Sequence, residues 1–508
     1  MAVLPAGDLL RYHALRKPEN SVAASFADGD VTWWELERRA NRRARFLADR
    51  GVGEGDWVTM VLPNDVRFFE YSFALWKLGA TPNVISPRLA AQERAEIIAL
   101  ADPRLVVAAE QGEGDSRTLC YLESAVDYDD GELPAKVSKY WKILGSGGST
   151  GRPKLIVDHR KAEYDPEQTM LGMPADGVVM APGPLYHNAP FGSMHGGLFV
   201  GAHIVGMPRF DPEEMLRLIA AHGVQWISIV PTMMHRIWGL SPEVRAQYDL
   251  SSLQAVWHSA AAIAPWLKQA WIDWLGAERI FEMYGGTEGL GATMITGTEW
   301  LAKPGSVGRA HYGGLQILRA DGTEAAPGEI GEIYFSSPAP GERTYHYVGA
   351  DPQRSEGGAD SLGDLGWVDE DGYLFIADRR ADLIVRGGVN VYPLEIENVL
   401  DAHPDIVCAI AVGLPDDEFG SRVHAIVETR AGAKVEAIAL VEFARERLAS
   451  YKVPESIELT STPLRDDSGK ARRMALREER IGMLGKGEAF SSWERRPLTG
   501  AVPGLTQP

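Results

Sequence analysis

A glycine-rich stretch at residues 145–154, with the sequence GSGGSTGRPK, carries residue types that bind anions. Glycine has no β-carbon, so several backbone N–H groups can approach one phosphate closely, and hydroxyl groups and a lysine add further donors. Apolar runs that favour strands flank the stretch at residues 141–144 and 155–157. This pattern predicts a phosphate-binding loop between two strands, and a flexible surface loop of small residues is the alternative that it leaves open.

Two common phosphate-binding motifs do not fit this loop. A Walker loop needs Gly-Lys-Ser/Thr without interruption, whereas two residues separate Gly151 from Lys154. A dinucleotide fingerprint needs a third glycine where Thr150 stands, and a helix that opens there. The spacing therefore excludes a P-loop enzyme and argues against a dinucleotide-dependent oxidoreductase.

Downstream residues carry groups that suit a nucleotide. Tyr284 offers an aromatic face for a purine, while Thr287 and Glu288 offer a phosphate donor and a ligand for a hard divalent ion. Asp364 can accept hydrogen bonds from two hydroxyl groups, and Arg379 can bind oxygen anions. Taken singly, each of these residues also fits a turn, a cap or a surface charge.

Two glycine turns near the C-terminus are the last of the candidate functional motifs. Gly387 and Gly388 precede a helix that Pro393 opens, and Glu395 lies in the first turn of that helix. Lys470 follows a glycine in the sequence DSGK. A lone lysine on such a turn is most often a solvated side chain, so its meaning depends on the other motifs.

Composition restricts the classes of protein and of partner. A chain of 508 residues is too long for a single compact core, so more than one domain is expected. A content of 45% hydrophobic and 24% charged residues is ordinary for globular proteins. The net charge of −19 (51 basic against 70 acidic residues) disfavours nucleic acid, so an anionic substrate must meet a local concentration of positive groups. Cys120 and Cys408 cannot form a disulfide framework, which indicates a reducing compartment.

The sequence shows neither the apolar core of a signal peptide nor a run of membrane-spanning length. We therefore expect a soluble cytoplasmic protein that does not insert into membranes. A homodimer is compatible with the sequence.

Alternating strand and helix patterns predict an α/β fold that must position these motifs. Helices are predicted to begin at residues 32, 65, 92, 211, 265, 393 and 437, and strands to cover residues 57–62, 105–108, 224–230, 253–258, 279–281, 330–335, 373–376, 406–412 and 423–428. Residues 1–380 form a large layered α/β N-terminal domain, whose residues from about 305 to 380 form a β-rich subdomain. Residues 381–484 form a small α+β C-terminal domain, and residues 485–508 form a loosely attached tail.

Taken in order, the six motifs over residues 146–470 resemble the signatures of the adenylate-forming enzymes, which include acyl-CoA synthetases, peptide-synthetase adenylation domains and luciferases. The resemblance implies that superfamily's fold, with a small C-terminal domain that is mobile. It implies an AMP-forming acyl-CoA synthetase that uses ATP, Mg²⁺ and coenzyme A and forms an acyl-adenylate. It also implies that the small domain rotates on a hinge near residue 380.

The resemblance also implies roles for particular residues. The expected catalytic residues are Lys470, Glu288, Thr287 and His187, and Glu288 is also the expected metal ligand. The residues expected to bind ATP or coenzyme A are Ser146, Gly147, Gly148, Ser149, Thr150, Gly151, Lys154, Ser259, Ala260, Ala261, Glu282, Met283, Tyr284, Gly285, Thr287, Asp364, Ile376, Arg379, Arg386, Gly387 and Gly388. The residues expected to contact the acyl group are Tyr186, His187, Trp257, His258, Gly285 and Gly286.

The chain departs from the family pattern at three places. Ala381 stands where relatives have a charged hinge residue, and Gly147 stands where many have serine. Asp158 follows the glycine loop, where a carboxylate near a triphosphate would oppose it. These departures predict a weak adenylation step, so the chain could act mainly in thioester formation on an adenylate made elsewhere.

The segments around residues 183–190, 264–276 and 298–309 most resemble bacterial ligases for bulky polycyclic acids, such as bile-acid–CoA ligases. Small residues at Gly285, Gly286 and Ala261 would leave room for a wide ring system, which favours a terpenoid or steroid acid from natural-product metabolism. A medium- or long-chain fatty acid is the alternative. A stand-alone adenylation enzyme that loads a carrier protein is another, although nothing after Lys470 resembles a carrier domain.

Overall fold

The computed structural model describes residues 3–109, 117–147, 153–339, 342–466 and 469–495. Its helices are α1 (Leu9–Ala14), α2 (Trp33–Ala48), α3 (Val66–Leu78), α4 (Ala91–Ala101), α5 (Asn188–Phe199), α6 (Pro212–His222), α7 (Pro231–Trp238), α8 (Pro242–Arg245), α9 (Pro265–Leu275), α10 (Gly297–Ala302), α11 (Pro393–Asp401), α12 (Ala437–Arg445) and α13 (Arg473–Lys486).

The strands are β1 (Leu4–Pro5), β2 (Val22–Phe26), β3 (Gly29–Thr32), β4 (Trp57–Met60), β5 (Thr81–Val84), β6 (Leu105–Ala108), β7 (Thr118–Cys120), β8 (Ile143–Gly147), β9 (Pro153–Asp158), β10 (Glu163–Tyr164), β11 (Val178–Met180), β12 (His203–Val205), β13 (Trp226–Ile229), β14 (Ala255–His258), β15 (Ile280–Gly285), β16 (Ala292–Thr296), β17 (Ser306–Tyr312), β18 (Gly314–Leu318), β19 (Gly331–Ser336), β20 (Tyr345–Val348), β21 (Asp360–Val368), β22 (Leu374–Arg379), β23 (Ile384–Arg386), β24 (Val389–Val391), β25 (Ile406–Asp416), β26 (Gly420–Thr429), β27 (Ser456–Thr460) and β28 (Trp493–Glu494).

Local sequence signals explain where several of these helices begin and end. Thr32 caps α2 by accepting a hydrogen bond from the backbone N–H of Glu35. Asp211 caps α6 in the same way, with Pro212 in the first turn, and Gly223 ends the helix in the left-handed conformation at φ +62°. The predicted α/β character is confirmed.

Two large sheets form the N-terminal part of the chain. One has thirteen strands in the order β18-β19-β21-β22-β17-β16-β15-β14-β13-β11-β12-β2-β3, and the other has seven in the order β20-β9-β8-β5-β4-β6-β7. Strands β11 to β15 run parallel in the first sheet, and β4, β5, β6 and β8 run parallel in the second. Apolar side chains of α2, α3, α5 and both sheets form one buried cluster, and those of α6, α7 and α9 form a second cluster with the larger sheet.

The β-rich region predicted for residues 305–380 is continuous with these sheets. Its strands β17, β18, β19, β21 and β22 extend the thirteen-stranded sheet through the antiparallel pair β16–β17. Strand β20 leaves that sheet and pairs with β9 at the edge of the seven-stranded one. The region therefore connects the two sheets, because its chain contributes strands to both.

The small domain has its own core around β25, β26 and β27, which α11, α12 and α13 cover. The loosely attached tail was predicted to begin at residue 485, which is too early in the chain. Strand β28 pairs antiparallel with β27, and the Trp493 side chain packs against the core of this domain. Burial of that indole attaches the chain up to residue 495 to the domain. Among the helices that the structure describes, none has the length and apolar character needed to cross a bilayer.

Candidate functional site

Asp364 and Arg379 lie directly opposite each other on the neighbouring antiparallel strands β21 and β22. Nε of Arg379 is 3.5 Å from Oδ1 of Asp364, and the other carboxylate oxygen accepts a hydrogen bond of 2.7 Å from the hydroxyl group of Tyr284. Burial raises the pKa of Asp364, while the charge of Arg379 opposes that rise. The strand register therefore brings a carboxylate, a guanidinium and an aromatic ring to one place.

The ends of parallel strands supply the adjacent residues. Tyr284 lies near the end of β15, and Thr287 and Glu288 follow it in the turn toward β16. Ser259 to Ala261 follow the end of the neighbouring strand β14, and Ala260 has φ +74°, an unfavourable value for a residue with a β-carbon. Backbone strain of this kind costs on the order of 1–3 kcal/mol and clusters at functional sites. Ile376 and Tyr284 pack against one apolar cluster around Phe335.

The charges of three cationic side chains act on one another near this place. Burial and the charge of Arg379 lower the pKa of Lys154, while Glu288 opposes the shift. Desolvation and the charge of Arg379 also lower the pKa of Lys470, against Asp466 and Glu288. Like charges raise each other's energy, so a group of cations in a chain of net charge −19 is complementary to a multiply charged anion.

Lys470 comes from the small domain and reaches the large one on a tight turn. The backbone N–H of Asp466 donates to the carbonyl of Lys470, and the Asp466 carboxylate accepts from the N–H of Lys470. The intervening Gly469 lies against α7, where a β-carbon would come within 2.8 Å of the Thr232 hydroxyl group. Only glycine allows this close approach, which holds Lys470 at the domain interface.

His187 immediately precedes α5 and lies near Lys470. Burial lowers its pKa to about 4, the charge of Lys470 adds to the shift, and Asp466 opposes it. The imidazole is therefore neutral at physiological pH. Its ring is 4.8 Å from the ring of Tyr186, so the two side chains predicted to contact the acyl group are neighbours.

The hairpin of β23 and β24 is not part of this convergence. The Arg386 guanidinium binds the Glu455 carboxylate with two hydrogen bonds and lies 4.1 Å from the centre of the Phe419 ring, both within the small domain. Gly387 and Gly388 form the exposed turn at positive φ. The predicted coenzyme A residues thus face solvent in this domain arrangement.

His258, predicted to contact the acyl group, and Glu282, predicted to bind the nucleotide, direct their side chains into the interior. Both are buried, with Glu282 2.5 Å from Nζ of Lys268 and 3.8 Å from Nε2 of His258. Burial raises the pKa of Glu282 and lowers that of Lys268, and each partner's charge opposes the shift of the other. Glu282 and Lys268 form an ion pair between the sheet and α9, and burial lowers the pKa of the neighbouring His258, which stays neutral. Alternation along β14 and β15 turns Glu282 and His258 away from Trp257 and Phe281.

Trp257 and Phe281 occupy the opposite face of the same strands. Their rings stack with centres 4.8 Å apart and planes 18° from parallel. Met283 and Met294 are direct partners on the neighbouring strands and pack beside them, partly exposed. Trp257 is thus buried in the large apolar cluster, and Phe281, Met283 and Met294 lie partly exposed at its edge.

The predicted space at Gly285 and Gly286 is filled by the chain itself. A β-carbon on Gly285 would lie 2.9 Å from the Gly291 carbonyl oxygen, and one on Gly286 would lie 2.5 Å from Oε2 of Glu288. These glycines allow close packing of the β15–β16 turn, so they are not evidence of room for a wide ring system.

The prediction that the Asp158 carboxylate opposes a triphosphate at the glycine loop is also wrong. Asp158 ends β9 at the end away from the loop, where Arg160 binds it at 2.6 Å and the Trp141 indole donates at 2.7 Å. Nζ of Lys142 lies 3.7 Å away and donates to the amide oxygen of Asn188 at 2.5 Å. The charge of Asp158 is therefore compensated in the interior, so Asp158 does not oppose a phosphate at the loop.

The predicted phosphate-binding loop falls largely outside the described residues. Gly148, Ser149, Thr150 and Gly151 lie in the undescribed segment 148–152. On either side, Ser146 pairs with Lys154 and Gly147 pairs with Pro153 on the antiparallel strands β8 and β9. The flanking strands β8 and β9 are therefore as the sequence predicted, and Lys154 lies on β9.

Tyr347 is a site residue that the sequence reasoning missed. Its hydroxyl group donates to Oε1 of Glu288 at 2.6 Å, and Nζ of Lys154 lies 3.7 Å from the centre of its ring. The signal was the alternation of Tyr345, His346 and Tyr347 before a valine, which is typical of a strand.

The residues present fit a nucleotide with a divalent ion. Within the described residues, no group of three or more His, Cys, Asp or Glu side chains could hold a metal by itself. Mg²⁺ commonly binds through one or two carboxylates together with phosphate oxygens and water, and Glu288 supplies one carboxylate beside three cations. The residues at this place could therefore hold an anionic ligand and a metal ion together.

Comparisons with known proteins agree with this geometry. The model of the AMP-binding enzyme family matches residues 10–343, and that of the AMP-binding enzyme C-terminal domain matches residues 395–470. A 2-succinylbenzoate–CoA ligase of Geobacillus kaustophilus is 30% identical over 480 residues, which cover 92% of this chain and 96% of the relative. A feruloyl-CoA synthase of an Amycolatopsis species is 29% identical over 473 residues, covering 90% and 95%.

The fold also matches a solved structure. The o-succinylbenzoate CoA synthetase of Bacillus subtilis, in complex with its acyl-adenylate intermediate, is 25% identical and superimposes with a TM-score of 0.79. The match covers 94% of this chain and 98% of that one.

Proposed function

The chain belongs to the family of AMP-binding enzymes, the adenylate-forming acyl-CoA ligases, and on that premise we propose that it activates a carboxylic acid with ATP and transfers the acyl group to coenzyme A. As an acid–thiol ligase of this family it uses ATP, Mg²⁺ and coenzyme A. The observation that carries the assignment of the site is a set of contacts at one place. Arg379 lies 3.5 Å from Asp364, which also accepts a hydrogen bond from Tyr284. Lys154 lies against the ring of Tyr347, whose hydroxyl group binds Glu288.

The reaction has two steps. In the first, an oxygen of the substrate carboxylate attacks the α-phosphorus of ATP, the bond to the β-phosphate oxygen breaks, and pyrophosphate leaves with the electron pair. In the second, the thiol of coenzyme A loses its proton and its sulfur attacks the acyl carbon. The bond from that carbon to the AMP oxygen breaks, which gives a thioester and AMP.

The protein contributes position and charge to the first step. Lys470 neutralises the charge that develops at the carboxylate and the α-phosphate, and Lys154 neutralises the departing pyrophosphate. Glu288, with the Thr287 hydroxyl group beside it, would hold Mg²⁺ together with phosphate oxygens, and the bound ion would neutralise further phosphate charge.

On the adenosine side, Asp364 would accept hydrogen bonds from the ribose hydroxyl groups and Arg379 would bind ribose or phosphate oxygens. The ring of Tyr284 would stack on the adenine opposite Ser259, Ala260 and Ala261.

For the second step we propose that the small domain rotates about residues 380–382. The present arrangement directs Lys470 to the site and leaves the β23–β24 hairpin in solvent, as an adenylation state requires. Rotation would exchange Lys470 for Gly387 and Gly388, whose lack of side chains gives room to the thin arm of coenzyme A, and would bring Arg386 toward the nucleotide. Ala381 contributes no side-chain contact to either state.

We propose a bulky ring-bearing acid, of the terpenoid or steroid type or an aromatic acid, as the substrate. The partly exposed side chains of Phe281, Met283 and Met294 support this, because flexible thioethers adapt to wide ligands. Neutral His187 and Tyr186 would flank the acyl group. The two relatives named above carry the names of ring-bearing acids, which agrees with the proposal.

A mass-spectrometric screen tests the function. The protein is incubated with ATP, Mg²⁺, coenzyme A and a panel of steroid, terpenoid, aromatic and fatty acids, and adenylate, pyrophosphate and thioester are measured separately. The proposal expects all three products with a ring-bearing acid. Products with fatty acids alone would overturn the substrate class, transfer only to a carrier-protein thiol would overturn the acceptor, and thioester only from a supplied adenylate would overturn the first step.

A further inference from the structure

Tyr347 connects the two charged residues on which metal and phosphate binding depend. Its hydroxyl group donates a hydrogen bond of 2.6 Å to Oε1 of Glu288. The ammonium group of Lys154 lies 3.7 Å from the centre of its ring, a distance at which the cation is attracted to the aromatic face. One side chain thus touches an anion through its hydroxyl group and a cation through its ring.

The contact crosses from one sheet to the other. Tyr347 lies on β20, at the edge of the seven-stranded sheet, whereas Glu288 follows β15 of the thirteen-stranded sheet. On β9, Ile156 is the direct partner of Tyr347, and Lys154 is two residues away on the same strand and hence on the same face. Sheet register therefore sets the distance between Tyr347 and Lys154.

Two further contacts hold this strand and its partner in place. The hydroxyl group of Thr344, just before β20, donates to the backbone carbonyl of Glu288 at 2.8 Å. Tyr345 lies with its ring 4.8 Å from the ring of Tyr347 and donates its own hydroxyl hydrogen bond to Asp360. Glu288 is thus held through its backbone and its side chain by one short segment, residues 344–347.

The Glu288 carboxylate has one oxygen bound by Tyr347 and one left for a metal ion. The side chain is buried, and Tyr347 occupies one of its two oxygens. The other oxygen, Oε2, lies next to Gly286, where a β-carbon would come within 2.5 Å of it. A carboxylate with one oxygen occupied offers a single oxygen to a metal ion, which suits the octahedral coordination of Mg²⁺.

Tyr347 also separates two opposite charges that attract each other. The Glu288 carboxylate contacts the hydroxyl group of Tyr347 and the Lys154 ammonium group contacts its ring, and these opposite charges attract each other. A direct pair would occupy both the oxygen needed for the metal and the ammonium group needed for the phosphates. The ring instead holds Lys154 on its face while the hydroxyl group holds Glu288.

We infer that Tyr347 is a positioning residue for adenylation: it keeps Glu288 and Lys154 apart and directs them to the metal ion and the phosphates of ATP. This inference rests on the proposed function. It predicts that loss of the hydroxyl group affects the metal requirement, while loss of the whole ring also affects phosphate binding.

The test compares Tyr347→Phe and Tyr347→Leu with wild type. For Tyr347→Phe we expect a Mg²⁺ concentration for half-maximal ATP–pyrophosphate exchange about tenfold or more higher, since a hydrogen bond to a charged group is lost. Binding of Mn²⁺–ATP, followed by the electron paramagnetic resonance of Mn²⁺, should weaken by a similar factor without any turnover. Tyr347→Leu should in addition weaken metal-free ATP binding, because Lys154 loses the ring. Binding of AMP should stay unchanged in both variants.

Tyr248→Phe is the matched control, because it removes a tyrosine hydroxyl group that donates to a different glutamate, Glu213, at the exposed start of α6. It should leave the Mg²⁺ requirement unchanged. A second measurement adds Tyr347→Phe to Glu288→Gln, where we expect no further rise in the metal requirement, since the two residues act as one unit.

An unchanged Mn²⁺–ATP affinity in Tyr347→Phe would overturn the inference, and so would an equal loss of AMP binding or full additivity with Glu288→Gln. Failure of the proposed function looks different. The wild-type protein itself would then bind neither AMP nor Mn²⁺–ATP, or would give no thioester with any acid while the metal-binding difference between the variants persisted.

Discussion

The hydroxyl group of Tyr284 donates a hydrogen bond of 2.7 Å to Oδ2 of Asp364, across 80 residues of chain. The contact fixes the aromatic face proposed for adenine relative to the carboxylate proposed for ribose. It also leaves Oδ1 of Asp364 toward Arg379, at 3.5 Å. The nucleoside part of the site is therefore organised before any ligand binds, which lowers the entropic cost of binding.

Asp364→Asn should weaken AMP binding about ten- to a hundredfold, because the amide loses the charge that strengthens hydrogen bonds to ribose hydroxyl groups. Isothermal titration calorimetry with AMP measures the change. Asp371→Asn is the control, since Asp371 is exposed at the turn between the same two strands and pairs with Lys303. Equal affinities of Asp364→Asn and wild type would contradict the ribose assignment.

Lys470→Ala should lower ATP–pyrophosphate exchange about 100- to 1,000-fold, the usual effect of removing a group that stabilises developing charge. Thioester formation from a supplied acyl-adenylate should change little, because that step uses the other face of the small domain. Lys486→Ala, an exposed lysine at the end of α13, is the control. Equal losses in both half-reactions would refute the role given to Lys470.

Arg430→Ala tests the domain arrangement. Its guanidinium reaches from the small domain to Nε2 of His235 at 3.3 Å, beside the negative C-terminal end of α7. Loss of this contact should slow adenylation about two- to tenfold and leave thioester formation from a supplied adenylate unchanged. The control is Arg445→Ala, whose ion pair with Glu442 lies within α12. A slower thioester step in Arg430→Ala would show that the contact serves both states.

Glu282→Leu should lower the free energy of unfolding by about 3–5 kcal/mol, because it leaves the buried Lys268 without its partner. The double variant Glu282→Leu with Lys268→Met should recover most of that loss. Urea unfolding measures both, and AMP affinity of the folded protein should match wild type. Reduced AMP affinity in the double variant would instead support the prediction from the sequence that Glu282 contacts the nucleotide.

Lys142 predicts a pH dependence of stability. Burial lowers its pKa from 10.5 to about 7, so between these values the unfolded chain binds a proton that the folded protein does not. The free energy of unfolding therefore rises with pH in this window, by at most about 1.4 kcal/mol per unit, and the penalty is fully present below pH 7. Urea unfolding from pH 7.5 to 9.5 should show a steeper rise for wild type than for Lys142→Met. Equal slopes would contradict the shifted pKa.

Much of the fold followed from local signals in the sequence. Caps at Thr32 and Asp211, glycine at helix ends and the alternation of apolar runs placed each predicted helix and strand close to an observed one. Helices such as α1, α5 and α7, and more than half of the strands that the structure describes, were not predicted. Such signals act within a few residues, so no long-range contact is needed to read them. The order of the six motifs likewise identified the family before any geometry was known.

Side-chain direction and sheet membership needed the tertiary structure. His258 and Glu282 stand next to residues of the site in sequence, yet strand alternation turns both into the interior, where Glu282 pairs with Lys268. Asp158 has its charge compensated by Arg160 and accepts a hydrogen bond from the Trp141 indole. The chain order predicts proximity along a strand but not which face a side chain occupies or what lies behind it.

The sequence by itself determined which chemical groups this protein has and in what order they come, because motif spacing and short-range patterns are properties of the chain. Only the tertiary structure decided that Tyr347, on a strand of one sheet, holds Glu288 at the edge of the other. Their contact depends on how two sheets meet, and that is set by the packing of many distant residues together.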